Sequence, residues 1–73
     1  MFEKEKTMPN GAVCTHHVIQ RIEVTDDGKY RMLVNSYPTE EQGIIGWQDT
    51  YIIDPEEPVI TFPDAEALIS PAF

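Results

Sequence analysis

The sequence predicts a mostly β, α+β domain: a three-stranded antiparallel meander, with room for a short fourth strand, packed by one short C-terminal helix. Three observations carry this. Apolar residues alternate with period two over residues 12–25 and again over 30–37. An Asp26-Asp27-Gly28 turn signal separates the two runs. Helical spacing appears only near the end of the chain, between Thr61 and Pro71.

Residues 1–10 read as a disordered leader, because Met1 to Pro9 is charged and shows no apolar periodicity. Met8, just before Pro9-Asn10-Gly11, is a second candidate for the natural start, and the sequence leaves that choice open. The Pro-Asn-Gly turn closes the leader, and residues 11–73 form a single small domain. A chain of 73 residues is in the range where one hydrophobic core only just suffices, so burial against a partner or a second copy would add useful stability.

In the first strand Val18, Ile22 and Val24 share one parity, with Arg21, Glu23 and Thr25 on the other. In the second, Tyr30, Met32 and Val34 share a parity. A two-residue loop at Asp27-Gly28 would set Val24 against Arg31 and Glu23 against Met32. A three-residue loop, with Gly28 left-handed in a bulge, sets Val24 against Tyr30, Ile22 against Met32 and Glu23 against Arg31. The second register makes one face apolar and pairs opposite charges on the other. Since a one-residue slip turns every side chain over, it is the expected one.

Ile44 to Ile53 reads as the third strand, interrupted by Gly46 and closed by Asp54-Pro55-Glu56-Glu57-Pro58. Val59-Ile60 is the place for a short edge pairing. Thr61 then reads as a helix cap, with Asp64 three positions on and Pro63 in the first turn. Pro71 ends that helix, and Ala65, Leu68 and Ile69 give it an apolar stripe.

Charge is distributed one-sidedly. Residues 1–31 hold all five basic residues against five acids, whereas residues 32–73 hold eight acids and no lysine or arginine, so the net charge of −8 lies in the C-terminal part. Binding to nucleic acid or to an anionic membrane is disfavoured, because both need cations to displace counterions. No apolar run approaches the length of a signal peptide or a membrane span, and the lone Cys14 can form no internal disulfide. A reducing, cytoplasmic location is the expectation.

The search for chemistry finds little. His16 and His17 are adjacent in a strand and point to opposite faces, and Cys14 with His16 supplies two ligands where zinc takes three or four. A Cys14–His16 nucleophile pair lacks an orienting third group and an oxyanion donor. The carboxylate pairs Glu40-Glu41 and Glu56-Glu57 sit in predicted loops without a cleft, and the four glycines are too scattered to cradle phosphate. No catalytic residue, metal ligand or cofactor is therefore expected. Two surfaces remain: an outer hairpin face with Ile19, Arg21, Leu33 and Tyr37, half apolar and in need of cover, and an acidic surface of Glu40, Glu41, Asp49, Asp54, Glu56 and Glu57.

The stretch from Gly11 to Val24 (GAVCTHHVIQRIEV), followed by Val34-Asn35-Ser36-Tyr37 and Trp47, resembles small proteins encoded in phage and prophage structural gene clusters, near tail or tail-fibre genes. The resemblance covers about the middle half of the chain. It implies association with a virion or its assembly and no catalytic residues. The leading expectation is thus a non-enzymatic interaction module, a phage or prophage accessory protein that binds another protein, from the virion or the host, and can self-associate. The alternative is an acidic inhibitor that imitates nucleic acid to block a host nucleic-acid-binding protein, and a small hydrolase built on Cys14 and His16 comes third.

Overall fold

A computed structural model of the chain describes residues 1–56, 58 and 61–73. Four antiparallel strands form one sheet in chain order: β1 (Phe2–Thr7), β2 (Val13–Val24), β3 (Tyr30–Tyr37) and β4 (Trp47–Ile53). A single helix, α1 (Phe62–Ile69), runs on into a 3-10 turn at Ser70–Ala72 and packs on one face of the sheet. The chain is mostly β, a meander with one short C-terminal helix.

The central hairpin has the expected register. Val24 pairs with Tyr30, Glu23 with Arg31 and Ile22 with Met32. Gly28 donates its N–H to the Thr25 carbonyl at 3.0 Å and sits at φ +83°, a left-handed conformation that costs glycine nothing and a β-branched residue a great deal. Thr25 locks the turn from outside, its hydroxyl accepting the Lys29 N–H at 3.0 Å.

The fourth strand lies where a disordered leader is expected. Phe2 pairs with His17, Glu3 with His16, Lys6 with Cys14 and Thr7 with Val13, with a bulge between Glu3 and Lys6. The turn into β2 repeats the chemistry of the central one: Gly11 donates to the Met8 carbonyl at 2.9 Å and adopts φ +85°. What holds this charged strand is the end of the chain. The Met1 ammonium pairs with Glu66, the Lys4 ammonium donates to the Ser70 carbonyl at 3.0 Å, and Lys6 lies over the Phe73 ring at 4.7 Å. These contacts join residues more than sixty positions apart, which is why local periodicity misses them. The short edge pairing expected at Val59-Ile60 falls outside the described residues.

β4 starts at Trp47 rather than Ile44. Ile44 is 82% exposed, and a side chain at Gly46 would place its Cβ 2.7 Å from the Cys14 Sγ. The backbone there passes close over β2, and only glycine fits.

A second difference concerns which residues face the helix. Ile19 pairs with Val34 but Arg21 pairs with Leu33, so Gln20 is an extra residue in β2. This bulge reverses the parity of the strand. Ile22 faces the helix as expected. Beyond the bulge it is Ile19 that joins Met32, Val34, Ala65 and Ile69 in the core, while Val18 stands opposite Asn35 on the other face. The helix itself forms as its sequence predicts: the Thr61 hydroxyl accepts the Asp64 N–H at 3.3 Å, a proline lies in the first turn, and Ala65 and Ile69 are fully buried with Leu68 beside them.

Candidate protein-binding surface

With α1 on one side, the opposite face of the sheet has no helix over it among the described residues. Cross-strand pairing lays out its rows: Val18, Asn35 and Gln48; Arg21, Leu33 and Thr50; Glu23, Arg31 and Ile52. Polar groups stitch it along the strands. Gln48 donates to the Asn35 side-chain oxygen at 2.7 Å, and the Asn35 side-chain nitrogen donates in turn to the Tyr37 hydroxyl at 3.4 Å. Glu23 sits between Arg21 at 3.0 Å and Arg31 at 3.5 Å. The apolar part is Val18 and Leu33, half-buried, with Ile52 at 59% exposed.

Of the residues predicted for this face, the structure keeps two and removes two. Arg21 is exposed and Leu33 is central. Ile19 is not on this face at all, because the Gln20 bulge turns it into the core. Tyr37 is 6% exposed, so its ring offers almost nothing to a partner. Val18, Thr50 and Ile52 belong to the face instead. Ile52 was legible as the even-numbered apolar residue of β4, but Val18 becomes so only once the bulge is known.

The predicted acids follow β4. Glu40 and Glu41 lie in the connection before it, Asp49 in its middle, and Asp54 and Glu56 after it, all exposed. Glu57 is outside the described residues. Asp49 accepts the N–H of Thr50 at 2.8 Å. It also helps raise the pKa of Tyr51, whose hydroxyl is held up first by burial and then by this carboxylate.

The histidine region straps β1 and the end of the chain to β2. His17 is fully buried, stacked 5.1 Å from Phe2 and edge-on 4.6 Å from Phe73. Its Nε2 lies 2.7 Å from the Lys4 carbonyl, which can only accept, so Nε2 carries the proton and Nδ1 accepts from the Ser36 hydroxyl at 2.7 Å. Burial pushes the His17 pKa down, helped by the nearby Lys6 and His16 and opposed by the Lys4 carbonyl. The serine–histidine bond has the form of a nucleophile and its base, but Ser36 is 1% exposed and no substrate reaches it. Cys14 is buried as well, and burial raises its pKa, away from the thiolate that nucleophilic or metal chemistry needs.

Among the described residues no three His, Cys, Asp or Glu side chains are grouped to hold a metal ion, and no helix is long and apolar enough to cross a membrane. A shallow depression of about 180 Å³ lies between Gly28, Tyr30, Pro55, Glu56 and Pro58. That is smaller than the roughly 300 Å³ at which small-molecule pockets begin. Comparison with protein-family models, with curated proteins and with solved structures finds no match for this chain.

Proposed function

We propose that this protein is a non-enzymatic interaction module that docks a protein partner on the face of the sheet its helix leaves bare. The observation that carries this reading is the central strip of Val18, Leu33 and Ile52 on that face, flanked by Arg21, Thr50 and Gln48. A sheet with an apolar strip on its second face gains by covering it, and a domain of this size has little other core to draw on. The likeness of its histidine-bearing hairpin to small phage proteins supports a partner in a virion or its assembly. Nucleic-acid mimicry has less support. A nucleic-acid strand carries a charge about every 3.4 Å, whereas β4 holds Asp49 alone over its length and the other acids gather near its ends.

The simplest partner is a second copy. Light scattering at rising concentration is expected to show a mass climbing from 8.3 kDa toward twice that value, insensitive to salt because the contact is apolar. Leu33→Lys is expected to hold the chain at the monomer mass. A wild-type chain that stays monomeric at millimolar concentration, or a Leu33→Lys variant that assembles as well as wild type, would refute docking on this face.

A further inference from the structure

We propose that β4 is an acceptor edge, to which an extended lysine- or arginine-bearing segment of a partner protein adds as a fifth strand. This rests on the reading of the protein as a binding module but uses a separate surface. β4 pairs with β3 over all seven of its residues in unbroken register, and among the described residues no strand lies on its other side. Proteins usually blunt such an edge with a proline, a bulge, a lysine or a cover. Within Trp47–Ile53 there is no proline, no lysine and no register shift.

The direction of the free backbone groups follows from one hydrogen bond. The Thr50 N–H is bonded to the carboxylate of its own neighbour Asp49, which places it on the open side. Backbone groups alternate sides along a strand, so the amides of Gln48 and Ile52 look the same way. Asp49 thus guards the middle of the edge. An incoming apolar or acidic strand must displace the carboxylate and leave it uncompensated. A basic strand offers it a lysine or arginine in exchange for the Thr50 amide, which is then free to bond the new backbone.

Charge selects the occupant. Glu40, Glu41, Asp54 and Glu56 flank the edge, and residues 32–73 contain no lysine or arginine to neutralise them. The cations of the chain are engaged elsewhere: Lys4 at Ser70, Lys6 at Phe73, Arg21 and Arg31 at Glu23, and Lys29 with Asp27. A second copy would bring its own Asp49 and flanking acids to the same edge, like charge against like.

The test uses the full chain and two nine-residue peptides, one alternating valine with lysine and one alternating valine with glutamate. Trp47, the single tryptophan, begins β4 and reports docking by its emission. The lysine peptide is expected to bind saturably, more weakly as salt rises, and to slow hydrogen exchange at the Gln48, Thr50 and Ile52 amides; the glutamate peptide is expected not to bind. Thr50→Pro removes the outward N–H without touching the ladder to β3, and should weaken binding about tenfold. Asp49→Lys, which keeps every backbone group, should weaken it at least as much. Asp49→Lys should leave the self-association read by light scattering unchanged, which separates failure of this edge from failure of the face. No binding of the lysine peptide, protection elsewhere than these three amides, or full affinity in Asp49→Lys would overturn the proposal.

Discussion

The two edges of the sheet are built on opposite principles. β1 is interrupted by a bulge, carries Lys4 and Lys6, and is tied through Met1, Lys4 and Lys6 to the helix and the chain's last residues. β4 is regular, free of basic residues, and guarded by one carboxylate bonded to its own backbone. One edge is closed by tertiary contacts, and among the described residues the other is guarded by one side chain that a cation can draw away. A small sheet can thus protect one border through the chain that folds over it and leave the other for recognition.

The comparison can be broken at its centre. Met32 on β3 is fully buried under the helix, between the two edges. Met32→Ala is expected to cost about 3 kcal/mol in denaturant unfolding and to speed exchange at β1 and β4 alike, because the loss is global. An effect confined to one edge would mean that the sheet is not a single cooperative unit.

Phe73→Ala sharpens the contrast. The Phe73 ring touches Phe2 in β1, His17 in β2 and Tyr51 in β4, and lies under the Lys6 ammonium. Its removal should cost about 2 kcal/mol, less than a fully buried aromatic because the residue is half-buried. The β1 amides should exchange faster than those of β4, which meets the ring at Tyr51 alone and keeps its seven-pair ladder to β3. Equal fraying of both edges would remove the distinction.

Acid should act on the closed edge. The folded-state pKa of His17 lies below its ordinary value of 6.5, so the unfolded chain takes the proton first. The stability His17 contributes is present in full above pH 6.5 and declines as pH falls below it toward the folded-state pKa. Thermal unfolding across pH 7 to 5 should show this decline, and His17→Gln should flatten that part of it. A decline unchanged in His17→Gln would assign the effect to other groups.

The smallest effect is expected at Glu23, whose two arginine partners are largely exposed. Glu23→Gln should cost a few tenths of a kcal/mol in a salt-dependent way and alter neither edge. A loss above about 1 kcal/mol would make this triad a structural element of the open face.

Most of the fold was legible, and what was missed shares one cause. The central turn could be worked out because Gly28, the alternation on either side and the Glu23–Arg31 pair all act within nine residues. The Pro9-Asn10-Gly11 turn is of the same kind, and Phe2, Lys4 and Lys6 alternate with Glu3, Glu5 and Thr7. That signal for β1 was present, but charge made it read as disorder, and the residues that compensate the charge lie at the far end of the chain. For the candidate surface, Arg21 and Leu33 were legible from parity. Ile19 was assigned to it by carrying one parity through a strand that changes face at Gln20, whereas Tyr37 has the right parity but is buried.

The sequence by itself determined the local geometry: two glycine-bulged turns, the pairing nearest the central one, the Thr61 cap, and an acidic C-terminal part without a cation. The tertiary structure alone decided that Gln20 would bulge, that a charged leader would become a strand, and which border of the sheet stays open. Turn and cap energies depend on neighbours in the chain. The choice between Ile19 and Val18 for the core, like the anchoring of β1, depends on what Ala65, Ile69 and Phe73 offer once the helix has folded back.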